Sequence, residues 1–271
     1  MAWRIGIAVA LAAVLLLFLL VLLWWTQERI VFQPGGPPFP ENPRARRIDF
    51  QADDGQPLSA YLVSGEERPD RAVLAFHGNA DLAVALIPWA SELSARTGWA
   101  VVLAEYRGYA GLPGRPSVSG AERDARAAAR MVQETLGIPT SRMTLFGHSL
   151  GSAIATELAA ELHPQRLILE SPFTSARDMA RIVVARPIEL VWGLISRVHY
   201  DTERRVRSLD VPVWVAHGTR DMVVPVWMGQ AVFQAARMKG ELLIIEGAGH
   251  NDVLITGGDR YWQWMARALG D

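Results

Sequence analysis

A serine between two glycines stands where a strand-like apolar run (143–146) gives way to a helix-like run (153–162), in the sequence Gly147-His148-Ser149-Leu150-Gly151. A sharp strand-to-helix turn of this type exposes the serine hydroxyl and leaves the next backbone N–H free. A hydroxyl becomes a good nucleophile only when a neighbouring base takes its proton. The pentapeptide therefore predicts that Ser149 is a nucleophile. The residues that would shape its turn are Gly147, His148 and Gly151.

A second motif, His77-Gly78-Asn79, follows the apolar run 72–76, which predicts a buried strand. A loop at such a strand end can donate a backbone N–H to a developing negative charge. Acyl transfer places this charge on the former carbonyl oxygen, and each preorganised donor stabilises it by roughly 3 kcal/mol. We expect the donors to be the backbone N–H groups of Asn79 and Leu150. By itself, the His-Gly pair fits a plain strand-ending turn equally well.

A candidate acid and a candidate base follow two later strand-like runs, with Asp221 after the first run and His250 after the second. In this arrangement His250 would take the proton of Ser149 and return it to the leaving group, while Asp221 would hold the imidazole in the required tautomer. Asp252 is a rival acid, but it lies too near His250 along the chain to face its ring easily. The other histidines at strand ends are expected to support loops rather than act as bases: His77, His148 and His217.

Strand-like runs alternate with helix-like runs from residue 47 onward, which predicts an α/β fold with a mainly parallel sheet and helices on both faces. Active residues of such a sheet gather at its carboxyl edge. The segment 175–207 interrupts the alternation, and we expect this insertion to form a short helical lid. Its apolar face would follow Pro187 and comprise Ile188, Val191, Trp192 and Ile195. Ordinary packing of this face on the core explains the pattern equally well.

With these motifs the chain resembles the α/β-hydrolase superfamily, and within it the membrane-anchored α/β-hydrolase domain proteins, whose relatives include protein depalmitoylases and lysophospholipid hydrolases. The resemblance covers residues 70 to 255 and rests on the stretches 76–80, 105–109, 147–151, 170–174, 217–221 and 249–252. It implies the α/β-hydrolase fold and a serine-acid-histidine triad of Ser149, Asp221 and His250. The chain departs from the family at Glu105, where many relatives carry aspartate, and at 110–112, and neither departure touches that triad.

Composition restricts the classes of function. The 271-residue chain has a formal net charge of −1, so it lacks the basic excess that is typical of nucleic-acid binding. It has no cysteine, which excludes disulfides, a thiolate nucleophile and a cysteine metal site. Half of its residues are hydrophobic, enough for one core of ordinary hydrolase size. We therefore expect no nucleic-acid partner, and a serine hydrolase of this kind is expected to need no metal and no cofactor.

The amino terminus carries an uncharged apolar stretch, residues 5–25. As a helix it would be about 31 Å long, which matches the hydrocarbon core of a bilayer. A cleaved signal peptide would have a shorter apolar region and a small-residue cleavage site, which 22–26 does not offer. We expect a membrane anchor (1–28), a Pro/Gly-rich stalk (29–45) and a hydrolase domain (46–271). The slight bias of the flanking basic residues favours a hydrolase domain on the non-cytoplasmic side.

The sequence thus predicts a single-pass membrane serine hydrolase that cleaves esters or thioesters through an acyl-enzyme intermediate. Lipid-like acyl substrates are favoured only by the anchor and the lid. A serine peptidase or amidase is one alternative, because the same residues can attack an amide. A catalytically silent membrane scaffold is another, and the intact set of Ser149, Asp221 and His250 argues against it. The acyl chain, the leaving group and any protein partner are left open.

Overall fold

An eight-stranded sheet forms the centre of the part of the chain that the computed structural model describes, residues 2–36, 42–183, 192 and 195–270. Its strands are β1 (Arg46–Gln51), β2 (Pro57–Val63), β3 (Ala72–Phe76), β4 (Ala100–Ala104), β5 (Met143–His148), β6 (Arg166–Glu170), β7 (Val213–Gly218) and β8 (Lys239–Ile245). Their order in space is β1-β2-β4-β3-β5-β6-β7-β8. Strand β2 is antiparallel to both of its neighbours, and the other neighbouring pairs are parallel. This confirms the predicted, mainly parallel sheet.

Helices cover the sheet in two groups. The described helices are α1 (Ala2–Val31), α2 (Ile87–Thr97), α3 (Val118–Leu136), α4 (Leu150–Leu162), α5 (Ala176–Val183), α6 (Thr202–Val206), α7 (Val226–Ala235), α8 (Val253–Gly257) and α9 (Asp259–Leu269). Helices α3, α4, α6 and α7 contact one another in series, whereas α2 packs with α9. The predicted α/β fold with helices on both faces is confirmed.

The central strands β3 and β4 are buried along their whole length, with the apolar sequences AVLAF and AVVLA. Parallel strands that are covered on both faces require such continuous apolar runs. Each fully buried large aliphatic side chain stabilises the fold by about 1.5–3 kcal/mol. Because parallel strands end at the same edge of a sheet, the loops after β3, β5, β7 and β8 meet there. These four loops carry the predicted site residues.

Helix α1 contains the predicted membrane span. The most apolar 18-residue window within Trp3–Val31 has a mean hydropathy of 3.2, and it is not buried against the rest of the protein. A helix of 30 residues is about 45 Å long, whereas the hydrocarbon core of a bilayer is about 30 Å thick. Helix α1 is therefore long enough for a single-pass anchor and extends about three turns beyond the hydrocarbon core. These extra turns reach the hydrolase fold.

The last turns of α1 pack on the domain, so the helix continues past the predicted anchor boundary at residue 28 and ends at Val31. Gln27 is 1% exposed, and its Oε1 accepts a hydrogen bond from the backbone N–H of Arg197 at 2.6 Å. Glu28 pairs with the Arg197 guanidinium at 3.0 Å. The last residues of the predicted anchor are thus docked on the domain. The start of the predicted stalk is docked as well, because Phe32 is buried. Residues 37–41 of that segment lie outside the described residues.

The predicted lid insertion, 175–207, begins with α5 and ends with α6. A bridge between Ser175 and Asp201 joins its two ends. Trp192 is 8% exposed and packs against the core. Most of the predicted apolar lid face lies outside the described residues, including Pro187, Ile188 and Val191.

Candidate active site

Ser149 occupies a strained turn between β5 and α4. Its φ of 52° and ψ of −115° form a backbone conformation that is rare for a residue with a side chain. A Cβ on Gly147 would lie 2.3 Å from the carbonyl oxygen of Gly151, and a Cβ on Gly151 would lie 2.1 Å from that of Phe76. Both distances are far below van der Waals contact, so only glycine fits at either position. The Ser149 N–H donates to the carbonyl of Glu170 at 3.0 Å, which fixes the turn to β6.

A continuous line of hydrogen bonds joins Ser149, His250 and Asp221. His250 Nε2 lies 2.9 Å from Ser149 Oγ, and His250 Nδ1 lies 2.7 Å from Asp221 Oδ2. An imidazole held in this way can accept a hydroxyl proton at Nε2 while the carboxylate stabilises the resulting positive charge. The rival acid Asp252 instead accepts a hydrogen bond from the backbone N–H of Gly249 at 2.5 Å. The structure therefore brings together the three residues that the sequence pattern singles out.

The surroundings of Asp221 fix its carboxylate and keep it ionised. Its Oδ1 accepts hydrogen bonds from the backbone N–H groups of Val223 and Val224, both at 2.8 Å. His217 Nε2 lies 3.2 Å from Oδ2, on the same oxygen that faces His250. Burial acts to raise the pKa of Asp221, but the hydrogen bonds from His217 and His250 outweigh it and hold the pKa well below its usual range. A permanently charged carboxylate is what a partner of the imidazolium requires.

The two expected oxyanion donors belong to residues that share a cavity with Ser149. Asn79, Ser149 and Leu150 line the same cavity. Among the backbone hydrogen bonds of the described residues, neither the N–H of Asn79 nor that of Leu150 is a donor to another backbone group. Leu150 also begins α4, whose amino-terminal end carries partial positive charge. That these two N–H groups serve an oxyanion next to Ser149 stays a prediction.

The side chain of Asn79 is bound to the end of α1. Its Nδ2 donates to the carbonyl of Val31 at 2.7 Å, and its Oδ1 accepts from the backbone N–H of Gln33 at 2.8 Å. The hydroxyl of Tyr109 donates to the same oxygen at 2.9 Å. We call these three hydrogen bonds the Asn79 clamp. The clamp holds the loop that presents the Asn79 N–H and joins it to the apolar helix.

His77 and His148 support the loops around the site. His77 is fully buried, with Nε2 2.7 Å from Glu105 Oε1 and Nδ1 2.8 Å from the carbonyl of Gly78. Burial acts to lower the pKa of His77, but the Glu105 carboxylate outweighs it and raises that pKa. His148 Nε2 lies 3.2 Å from the carbonyl of His250, and burial lowers the pKa of His148. A Cβ on Gly78 would lie 2.8 Å from His148 Nδ1, so the two loops are in close contact.

Two cavities meet at Ser149. The first, which we call the apolar pocket, has a volume of about 430 Å³ and includes Ile30, Val31, Leu150, Met179, Val183 and Trp192 in its lining. The second, the polar pocket, has a volume of about 630 Å³ and includes Trp89, His148, Glu170, His250 and Tyr261 in its lining. Ser149 and Asn79 line both cavities. The two halves of a substrate cleaved at Ser149 can therefore occupy different pockets.

Comparison with known proteins places this chain in a family. Residues 67–202 match the family model described as serine aminopeptidase, S33. The chain is 33% identical to an uncharacterized protein of Mycobacterium tuberculosis, over 90% of this chain and 87% of that protein. It is 28% identical to alpha/beta hydrolase domain-containing protein 17B of Homo sapiens, over 79% of this chain and 73% of that protein. These matches show that the chain belongs to the α/β-hydrolase superfamily, which confirms the resemblance of its motifs.

A solved structure agrees with this assignment at the level of the fold. The esterase Pf2001 of Pyrococcus furiosus superposes with a TM-score of 0.70, covering 88% of this chain and 97% of that one. The two sequences are 16% identical, so the likeness concerns the fold alone.

Three features of the site are not evident from the sequence: the contact of His217 with Asp221, the Asn79 clamp and the burial of Glu170. His217 and Glu170 both lie at the carboxyl ends of strands, β7 and β6, and this position is the available signal for them. The clamp joins residues that lie 46 and 48 positions apart, which no local pattern reveals.

Proposed function

We propose that the protein is a serine hydrolase that cleaves carboxylic esters or thioesters through an acyl-enzyme intermediate. The observation that carries this proposal is the line of hydrogen bonds from Ser149 Oγ through His250 to Asp221, at 2.9 and 2.7 Å. A serine in a strained strand-to-helix turn, beside a base that a carboxylate orients, is the arrangement that activates a hydroxyl for acyl transfer.

The proposed reaction has two similar halves. His250 Nε2 takes the Ser149 proton as Oγ forms a bond to the substrate carbonyl carbon, and the carbonyl π electrons move to oxygen. The N–H groups of Asn79 and Leu150 would stabilise this oxyanion, each by roughly 3 kcal/mol. The carbonyl then re-forms and expels the leaving group, which receives the proton from His250. Water repeats these steps on the acylated Ser149 and releases the acid, while Asp221 stabilises the imidazolium in both halves.

The apolar pocket supports acyl esters and thioesters as substrates. The described residues that line it include no charged side chain. An acyl chain gains about 0.8 kcal/mol per buried methylene, so lipid-like chains would be favoured up to the depth of the pocket. A serine peptidase is the second candidate, because the matching family model is described as serine aminopeptidase and the same geometry can attack an amide.

We further propose that α1 stays attached as a single-pass membrane anchor. Two observations support this: the stretch 22–26 offers no small-residue cleavage site, and α1 runs without a break from the apolar span into Gln27 and Val31, which bind the domain. The flanking charges favour a domain on the non-cytoplasmic side of the membrane.

Replacement of Ser149 by alanine in the full-length protein tests the enzymatic proposal. The Ser149→Ala variant should lose covalent labelling by a fluorophosphonate probe and several orders of magnitude in ester hydrolysis, with a nearly unchanged melting temperature. Ser171→Ala is the matched control, because Ser171 is buried and lines neither pocket. It should be labelled normally.

Undiminished labelling of Ser149→Ala would contradict the assignment of the nucleophile. The ratio of kcat/KM for a short acyl ester to that for an aminoacyl anilide then separates an ester hydrolase from a peptidase. A higher kcat/KM for the anilide than for the ester would replace the proposed ester hydrolase with the second candidate, a serine peptidase.

A further inference from the structure

Exposed apolar side chains surround the mouth of the apolar pocket. Ile30, Val183 and Val223 line that pocket and are each more than half exposed, so they lie at its opening. Their chain neighbours Ile182 and Met222 are exposed as well, and Met222 is 91% exposed. A group of exposed apolar residues in one place is typical of a surface that contacts a membrane or another protein. We call these five residues the apolar rim.

The hydrolase domain reaches the level at which α1 would leave a bilayer. Trp24 and Trp25 stand at the end of the apolar stretch, and tryptophan favours the interface between hydrocarbon and water. The guanidinium carbon of Arg197, a residue of the domain, lies 4.4 Å from the centre of the Trp24 ring. Leu23 packs against the hydrophobic core of the domain. With α1 in a bilayer, the domain therefore begins at the membrane surface.

The apolar rim lies close to the same surface. Ile30 follows Trp25 by five residues, which is about 8 Å along a helix axis. The headgroup layer on each side of the hydrocarbon core is about 5–8 Å thick. Apolar surfaces that bind membranes without spanning them enter this boundary to a depth of about 5–10 Å. The mouth of the apolar pocket is thus at the height of the lipid headgroups.

A lipid surface is the occupant that fits the apolar rim. The rim is continuous with α1 through Ile30, and among the described residues α1 is the one helix long and apolar enough to cross a membrane. The side chains of the rim carry no charge and no hydrogen-bond donor that would select a protein partner. Transfer of apolar area out of water is favourable and needs no directional contact.

We propose that the apolar rim docks on the lipid leaflet nearest the domain, so that the apolar pocket opens directly into lipid. An acyl chain would then pass from the leaflet into the pocket without crossing water. This inference rests on the proposed membrane anchor and goes beyond it, because an anchor alone leaves open which face of the domain meets the membrane.

Single introduced thiols test the docking, because the chain has no cysteine of its own. Full-length Met222→Cys and Ile182→Cys would carry an NBD fluorophore in phosphatidylcholine vesicles. Lipid with a nitroxide at the top of its acyl chain should quench both labels about as strongly as a label at Trp25→Cys. Met238→Cys is the matched control, because Met238 is also exposed and precedes β8, at the opposite edge of the sheet. Aqueous iodide should quench that label, and the nitroxide lipid should not.

Hydrolysis gives a second measurement. A variant that combines Met222→Ser with Ile182→Ser makes the rim polar at two residues that do not line the pocket. For a long-chain ester dissolved in the vesicles, kcat/KM should fall about tenfold as the docked population falls. For a water-soluble acetyl ester, kcat/KM should stay at the wild-type value. Met238→Ser should match the wild type on both esters.

The possible failures are distinguishable. Iodide quenching without lipid quenching at Met222 and Ile182, together with lipid quenching at Trp25→Cys, would refute the docked rim and leave the anchor intact. Labels on the rim that neither quencher reaches would place a protein surface there and refute the docking equally. An equal fall for both esters would refute entry of the acyl chain through the rim.

The underlying proposals can fail separately. Absence of lipid quenching at Trp25→Cys would remove the membrane anchor and this inference with it. Absence of fluorophosphonate labelling in the wild type would remove the proposed hydrolase, and lipid quenching at Met222 would still support the docked rim.

Discussion

Replacement of Asp221 by asparagine removes one charge and preserves the shape of the side chain. The backbone N–H groups of Val223 and Val224 occupy Oδ1 at 2.8 Å, so they would fix the amide oxygen at that position. The amide nitrogen would then stand at the Oδ2 position, 2.7 Å from His250 Nδ1. An N–H at this point donates to Nδ1 and forces the proton of the neutral ring onto Nε2. The ring would then donate to Ser149 Oγ and could no longer take its proton.

The expected loss follows from this wrong tautomer. The same change in a serine-histidine-aspartate site lowers kcat by about 10⁴-fold, or about 5 kcal/mol in the activation free energy. This loss of rate should appear both in the steady-state hydrolysis of a short ester and in the rate of fluorophosphonate labelling. Asp252→Asn is the matched control, because Asp252 bonds the backbone of Gly249, and its rate should stay within a few-fold of wild type. Asp221→Asn with more than a tenth of the wild-type rate, or an equal loss in Asp252→Asn, would refute the reasoning.

The same variant should change the dependence of stability on pH. The pKa of Asp221 is depressed in the folded protein, so its stabilising contribution is fully present above the unfolded pKa of about 3.9 and is lost as the pH falls below that value. The difference in melting temperature between wild type and Asp221→Asn should therefore be constant near neutral pH and should shrink below about pH 4. A difference that grows towards acid pH would contradict the sign of the shift.

Two further predictions concern helix α1. Ile30 lines the apolar pocket, so the larger side chain of Ile30→Trp should narrow it. If the pocket loses room for two methylenes of the acyl chain, kcat/KM for decanoyl esters should fall roughly tenfold relative to that for acetyl esters. Leu22→Trp on the same helix is the control, and an unchanged chain-length profile in Ile30→Trp would exclude the helix end from the acyl site. Protease added to bacterial spheroplasts should digest the hydrolase domain, and full protection of the domain would reverse the proposed orientation.

The fold and the meeting of Ser149, Asp221 and His250 at one sheet edge are predictable because each of the three residues follows an apolar, strand-like run, although β8, which precedes His250, is only partly buried. Apolar runs mark strands, parallel strands share a carboxyl edge, and chemistry-bearing residues after several such runs must meet there. The helix positions follow from the same alternation, as α4 shows, although it begins at Leu150, three residues before the run 153–162 that indicates it.

The role of the residues after the membrane span could not be predicted in this way. Gln27 and Glu28 have the composition of an interfacial flank, and the prolines that follow are typical of a stalk. Arg197, the partner of Gln27, and Asn79, the partner of Gln33, lie far along the chain, and only tertiary structure brings these pairs together.

If α1 crosses the bilayer as proposed, the helix and the Asn79 clamp hold Ser149 at a fixed distance from the membrane surface. An enzyme held in this way meets membrane-dissolved substrate by lateral diffusion in two dimensions, at the high effective concentration that a tether provides. Its turnover would depend on the mole fraction of substrate in the lipid rather than on the amount per volume of solution. Inert lipid added at constant total substrate would then slow the enzyme by surface dilution alone.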